Sequence, residues 1–166
     1  KIFEFGTFDG RTTLNMAANS PADAMIYTLD LPSEGIPNTK FGLEEKELIL
    51  IEKETSGIRF HNKPEANKIK QFYGDSAQFG YAPYEGQIDF IFIDASHAYE
   101  YVLSDSENAL RLLRREQGII LWHDYGSWNG VTQALNELWR KDVVFSQIKH
   151  IEGTSLVILR VVPTDA

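Results

Sequence analysis

The stretch that most constrains this chain runs from Ile88 to Glu100, where four consecutive apolar residues stand between two aspartates. The apolar run, Phe90 to Ile93, is typical of a strand covered on both faces, as in a parallel sheet. Asp94 falls where this strand ends, and ligands of open α/β sheets bind beyond the carboxyl ends of the strands. With His97 close behind, the pattern indicates an acid/base or metal-ligand pair, or an aspartate that only caps the next helix.

Strand and helix patterns alternate along the rest of the chain. Strands are predicted at 1–5, 25–29, 68–72 and 119–122, and helices at 11–18, 43–55, 102–113 and 131–139. The last segment, 143–151 with 155–162, is typical of a β-hairpin. Because right-handed crossovers place helices on the faces of a parallel sheet, this order predicts an α/β fold with a doubly wound, mostly parallel sheet and a C-terminal antiparallel hairpin.

Length and composition exclude several classes of function. A chain of 166 residues suits a single domain, and since it opens inside a predicted strand, we expect its natural N-terminal segment to be missing. The net charge of -8 opposes a nucleic-acid partner, and the absence of cysteine excludes thiolate nucleophiles. Without a long apolar run we expect no membrane partner and a cytoplasmic protein. Self-association as a homo-oligomer stays open.

The first strand leads into a glycine-containing turn, Gly6-Thr-Phe-Asp-Gly10. This spacing lacks the middle glycine of the dinucleotide motif, and a carboxylate at Asp9 would repel a pyrophosphate. A ligand with a cationic centre fits better. Glu4 and Asp9 would face the amino and sulfonium charges of S-adenosylmethionine, and Asp30 would accept hydrogen bonds from ribose hydroxyls. The alternative is an ordinary turn whose carboxylates are solvated.

Five motifs together give this chain a resemblance to a known family. They are Glu4 to Arg11, Leu29 to Leu31, Gly74 to Ser76, Ile93 to Glu100, and Trp122 to Tyr125. In this order they resemble the class I S-adenosylmethionine-dependent methyltransferases, and within them the metal-linked O-methyltransferases that act on sugars and natural products. The resemblance implies a Rossmann-like, seven-stranded sheet whose last strand is antiparallel.

The same resemblance implies positions for the cofactor. The turn after the first strand would shape the pocket for the methionine end, Asp30 would hold the ribose, and Asp75 with Ser76 would lie beside the adenine. The predicted cofactor-binding residues are Glu4, Gly6, Thr7, Phe8, Asp9, Gly10, Asp30, Asp75, Ser76 and Asp94.

The resemblance also implies a divalent metal at neighbouring strand ends, held by Asp94, His123 and Asp124. Carboxylate ligands suit magnesium or manganese, whereas His123 shifts the preference toward manganese, iron or zinc. The alternative for His123 and Asp124 is a hydrogen-bonded pair that closes the strand. We predict Asp94 and His97 as catalytic residues, with His97 as the general base because histidine titrates near neutral pH.

The resemblance implies a metal-assisted O-methyltransferase that uses S-adenosylmethionine on a hydroxyl of a sugar, another small molecule or a glycan. A second hypothesis is a non-catalytic, cofactor-binding or regulatory module with the same fold. A nicotinamide-dependent dehydrogenase is disfavoured by the glycine spacing.

Overall fold

A seven-stranded sheet organises the fold of this computed structural model, which describes residues 1–53, 55–114 and 117–161. The spatial order is β3-β2-β1-β4-β5-β7-β6, and the first five strands of the chain pair in parallel while β7 is antiparallel to β5 and β6. The strands are β1 (Ile2–Phe5), β2 (Ile26–Asp30), β3 (Ile69–Tyr73), β4 (Phe90–Ile93), β5 (Gly118–Trp122), β6 (Lys149–His150) and β7 (Val157–Val161). The predicted doubly wound sheet with its C-terminal hairpin is confirmed, although Val162 lies outside the described residues. Of the predicted first hairpin strand, 143–151, only Lys149–His150 forms a strand, and Phe145–Gln147 forms a 3-10 helix instead.

Four α-helices accompany the sheet in the described ranges: α1 (Arg11–Ala18), α2 (Leu48–Ile51), α3 (Tyr99–Leu112) and α4 (Asn129–Lys141). Three of them match predicted helices to within about three residues. Short 3-10 helices occupy Ser33–Asn38, Glu45–Glu47, Pro64–Lys68, Ala82–Tyr84 and Phe145–Gln147. None of the helices described combines the length and apolar character needed to cross a bilayer.

The strand β4 lies at the centre of the sheet, between β1 and β5. Its residues Ile91 to Ile93 are buried, as the unbroken apolar run predicted. The parallel register sets Phe5 beside Ile93 and Ile93 beside Trp122. The residues that follow these strand ends therefore leave the sheet side by side at one edge.

The predicted helix at 43–55 is wrong. The segment forms a 3-10 turn at Glu45–Glu47 and a single α-helical turn, α2, while Glu54 lies outside the described residues. Ile49 is 77% exposed, whereas the carboxylate of Glu47 is buried. The four consecutive apolar residues Leu48 to Ile51 do not define a single buried face of a helix. The segment is instead attached to the fold by the hydrogen bonds of the buried Glu47.

Candidate active site

A cavity of about 270 Å³ opens at the carboxyl ends of the parallel strands. Residues that follow five strand ends contribute to its wall, and residues of the segment from Leu43 to Lys53 also line it. Of the predicted site residues, those that line the cavity are Gly6, Phe8, Asp30, Asp75, Ser76, Asp94, His97, His123 and Asp124. A shared hollow thus joins the cofactor-binding and metal-binding residues that the sequence predicted.

The turn after β1 brings the backbone of Gly6 against the end of β4. Gly6 has a φ of +91°, and a Cβ atom placed on it would lie 2.1 Å from the backbone oxygen of Asp94. Two residues on, Phe8 takes a positive φ of 48° although it is not glycine, and its backbone N–H donates to Asp30 Oδ1 at 3.2 Å. Such strain persists only where the surroundings impose it, and here it shapes the cavity wall.

Glu4 lies beneath this turn and is fully buried. It accepts hydrogen bonds from the hydroxyls of Thr13 and Thr28, the second at 2.6 Å. Burial raises the pKa of Glu4 to about 8, although these hydrogen bonds act in the opposite direction. Glu4 therefore connects α1 and β2 through these buried hydrogen bonds and does not line the cavity.

The structure also keeps three other predicted cofactor-binding residues away from the cavity wall. Thr7 is buried, with its hydroxyl 2.6 Å from that of Thr28. Asp9 pairs with Arg59 at 2.6 Å. Gly10 has a φ of +84° and packs against Phe60 and Gly57 at the start of α1. An ion pair on the outer side of the turn satisfies Asp9, so a carboxylate facing a sulfonium is not found at that position.

The raised pKa of Glu4 predicts a pH dependence of stability. Its value of about 8 in the folded chain exceeds the ordinary 4.5, so the folded state retains a proton that the unfolded state loses, and stability falls as pH rises between these values. We expect Glu4→Gln to remove this part of the fall, by up to about 1.4 kcal/mol per pH unit.

Urea unfolding in the presence of EDTA, at several pH values from about 5 to 9, measures this effect. Asp105 provides the internal control, since burial also raises its pKa, to about 7. The stability of Glu4→Gln should therefore still fall with rising pH, but with a shallower slope, because Asp105 remains. A slope equal to that of the parent protein would show that Glu4 is ionised in the folded state.

Asp30 ends β2 with a buried carboxylate directed at the cavity. Lys53 Nζ lies 2.7 Å from Asp30 Oδ2, and both side chains are largely buried. Further along the wall, Asp75 accepts hydrogen bonds from Gln78 Nε2 at 2.7 Å and from the backbone N–H of Lys40 at 2.8 Å. Burial opposes ionisation of Asp75, but these hydrogen bonds prevail and lower its pKa.

Asp94, His123 and Asp124 form a half-buried cluster whose potential ligand atoms all lie within 4.8 Å of one another. His123 Nδ1 lies 3.2 Å from Asp94 Oδ1 and 3.2 Å from Asp124 Oδ2, yet this buried nitrogen has no well-formed hydrogen bond. The contact with Asp94 outweighs burial and raises the pKa of His123 to about 9. An imidazole nitrogen and two carboxylates that converge without saturating one another suit a divalent cation.

The geometry excludes one alternative for these residues. The helix α3 begins after an N-cap at Ala98 that makes no side-chain capping bond, so Asp94 does not cap it. Asp124 has a φ of +65° and lines the cavity, and its carboxylate lies in contact with His123 Nδ1 at 3.2 Å. Among the described residues, Phe8 and Asp124 are the two non-glycine residues with positive φ, and both line the cavity.

His97 is held on both sides by carboxylates. Its Nδ1 lies 2.9 Å from Glu47 Oε2, its Nε2 lies 3.0 Å from Asp124 Oδ2, and its ring stacks on Trp128 with centroids 4.0 Å apart. Burial lowers the pKa of His97, but the two hydrogen bonds outweigh it and raise the pKa above the ordinary value. Carboxylates therefore engage both nitrogens of His97, the predicted general base, in this structure.

Sequence reasoning missed Glu47 and Lys53, which line the cavity from the segment before and after α2. Both stand in charged stretches that are typical of solvated surface. The spacing of Glu44 and Glu47 matches a reciprocal capping box, which the structure contains, and this was the only local signal. Nothing in the local pattern indicates their partners at Asp30 and His97.

Comparison with known proteins identifies the family. A family model described as a methyltransferase domain matches residues 3–125. This chain belongs to that methyltransferase family. The matched part of the methyltransferase extends from β1 to the residue after Asp124 and so includes every strand end that contributes to the cavity. No curated protein matches the chain in sequence.

Solved structures share the fold of this methyltransferase. Cofactor-bound Rv0187 from MTB aligns with 99% of this chain and 73% of its own, at 15% identity and a TM-score of 0.63. TomG, an O-methyltransferase from Streptomyces achromogenes in complex with SAM, aligns with 98% of this chain and 73% of its own, at 16% identity and a TM-score of 0.61. An O-methyltransferase from Bacillus cereus in complex with SAH aligns with 97% of this chain and 73% of its own, at 21% identity and a TM-score of 0.56. The predicted class I S-adenosylmethionine-dependent methyltransferase fold is confirmed.

Proposed function

We propose that this methyltransferase transfers a methyl group from S-adenosylmethionine to a hydroxyl of a sugar, another small molecule or a glycan, with the help of a divalent cation. The observation that carries the proposal is the shared cavity, which is lined both by Asp30 and Asp75 and by the cluster of Asp94, His123 and Asp124. The O-methyltransferases with SAM or SAH bound that share this fold support it.

For the cofactor, the turn at Gly6 and Phe8 and the carboxylates of Asp30 and Asp75 provide the binding groups. Because Gly6 has no side chain and lies against the backbone at the end of β4, the cavity is lined by main-chain atoms at this point. Asp30 Oδ2 would accept a ribose hydroxyl, and because Lys53 lies 2.7 Å away, the ligand shares or displaces that contact. When bound, S-adenosylmethionine supplies the methyl group as an electrophilic sulfonium, so the protein chiefly aligns the reactants and excludes water.

Asp94, His123 and Asp124 would hold the cation. The two carboxylates suit magnesium or manganese, and of these the imidazole of His123 favours manganese. A cation held there would supply Lewis-acid chemistry, by which the proton of an acceptor hydroxyl would become easier to remove. Asp94 then takes the role of proton acceptor, since it is half-exposed to the cavity while both nitrogens of His97 are engaged. His97 becomes a residue that orients Asp124.

The proposal is tested by calorimetry with S-adenosylhomocysteine on the parent protein and on Asp30→Ala. We expect the variant to bind at least about tenfold more weakly, since a hydrogen bond to a charged group contributes about 1.5–3 kcal/mol. Asp23→Ala, which removes an exposed carboxylate, is the matched control and should bind as the parent does.

A methyl-transfer assay on a panel of sugars and phenols, with and without chelator, completes the test. Chelator-sensitive turnover supports the metal-assisted enzyme. Binding of S-adenosylhomocysteine without turnover of any acceptor would favour the non-catalytic module, and absence of binding by the parent protein would contradict the assignment of the cavity to S-adenosylmethionine.

A further inference from the structure

The proposed function leaves one buried carboxylate of the cavity without a role. Glu47 is 2% exposed, although it stands in a segment where its neighbours Glu45 and Lys46 are solvated. It accepts hydrogen bonds from Ser96 Oγ at 2.6 Å and from the backbone N–H of His97 at 2.7 Å. A carboxylate is removed from water only at a high cost in solvation, so these contacts must hold it firmly.

The same carboxylate begins a chain of hydrogen bonds that ends at the metal cluster. Glu47 Oε2 lies 2.9 Å from His97 Nδ1, and His97 Nε2 lies 3.0 Å from Asp124 Oδ2. That oxygen of Asp124 is also the one 3.2 Å from His123 Nδ1. The ring plane is fixed by Trp128, which stacks on it at an interplanar angle of 13°.

We propose that Glu47 is a positioning residue for the metal cluster, which holds the His97 ring aimed at Asp124. The inference rests on the proposed function, because it assigns Asp124 to a cation. Groups that orient a ligand from outside the metal's own contacts fix its direction, and their loss typically costs about 10- to 100-fold in metal affinity.

Glu47 also connects two segments that line the cavity. Glu47 belongs to the segment from Leu43 to Lys53, whose side chains also line the cofactor side of the cavity. Its bonds to Ser96 and His97 attach this segment to the loop between β4 and α3. The same carboxylate therefore both attaches the Leu43 to Lys53 segment and orients Asp124 through His97. The position of this segment and the direction of the metal ligand are coupled in this way.

The test is Mn²⁺ binding to the whole chain, measured by calorimetry and by electron paramagnetic resonance of the free ion. We expect Glu47→Gln to weaken Mn²⁺ binding by about 10- to 100-fold. Glu45→Gln is the matched control: it makes the same change of charge in the same 3-10 turn at an exposed position, and should bind Mn²⁺ as the parent does. Equal affinity of Glu47→Gln and the parent would overturn the inference.

A double-mutant cycle separates positioning from a structural effect. If Glu47 acts through the imidazole, Glu47→Gln has little further effect on Mn²⁺ affinity in a His97→Gln background, whereas additive losses would show that it acts independently of His97. Should Glu47→Gln fail to fold, Glu47→Asp keeps the charge but shortens the reach, and its affinity should fall between those of the parent and His97→Gln. A folded Glu47→Asp variant that binds as the parent does would count against the inference.

Failure of this inference differs from failure of the proposed function. A parent protein that binds S-adenosylhomocysteine but no Mn²⁺ would overturn both the metal-assisted mechanism and the role of Glu47. A parent that binds Mn²⁺ with an affinity that Glu47→Gln leaves unchanged would overturn the role of Glu47 alone.

Discussion

Gly6→Ala is expected to abolish detectable binding of S-adenosylhomocysteine and to destabilise the fold by about 3 kcal/mol, the sum of overpacking and of a positive φ in a residue with a side chain. The added Cβ would lie 2.1 Å from the backbone oxygen of Asp94 and 2.9 Å from Ala95 Cα. These are backbone atoms at the end of the central strand, so no flexible side chain can move aside. Relief requires β1 and β4 to separate where the cofactor is proposed to bind.

Urea unfolding and calorimetry with S-adenosylhomocysteine measure the two effects of Gly6→Ala. Gly80→Ala is the matched control, because its Cβ meets nothing within 4 Å and its φ is not positive. Parent-like stability and affinity of Gly6→Ala would mean that the turn tolerates a displacement of the β4 end, and that the close approach of the two strands is not needed for the cavity.

The parallel direction of most strands and the edge of the sheet that carries the cavity were predictable from sequence. An unbroken apolar run at Phe90 to Ile93 required a strand buried on both faces, and alternating helix patterns required parallel neighbours. Once the strands were parallel, the residues after their ends had to share one edge. Asp94 was identified by that argument, whereas the resemblance to the methyltransferases indicated Asp124, and the structure brings both residues and Asp30 to one cavity.

The partners of the charged residues were not predictable. Asp9 and Arg59 are 50 residues apart in the chain, and so are Glu47 and His97. Hydrophobic periodicity records which side of an element is buried, but it carries no information on which distant charge a carboxylate meets. For this reason Asp9 was assigned to the cofactor although it pairs with Arg59, and His97 was assigned as a free base although two carboxylates hold it.

Asp124→Asn is expected to weaken Mn²⁺ binding by about 100-fold or more and to lower metal-dependent methyl transfer to a similar extent, because loss of an outer partner alone typically costs about 10- to 100-fold. The substitution is close to neutral for the backbone. Asp124 has a φ of +65°, a conformation that asparagine adopts as readily as aspartate. An amide oxygen also still accepts the hydrogen bond from His97 Nε2, so the variant chiefly removes the charge.

Asp23→Asn makes the same chemical change at an exposed position and is the control for Asp124→Asn. Binding of S-adenosylhomocysteine in the presence of chelator should be largely retained by Asp124→Asn, since Asp30 and Asp75 contribute to a different part of the wall. This separates the two halves of the cavity. Turnover by Asp124→Asn that equals the parent's, and that chelator leaves unchanged, would show that the carboxylates act without a cation. Loss of S-adenosylhomocysteine binding together with Mn²⁺ binding would show that Asp124 is needed for the structure of the whole cavity.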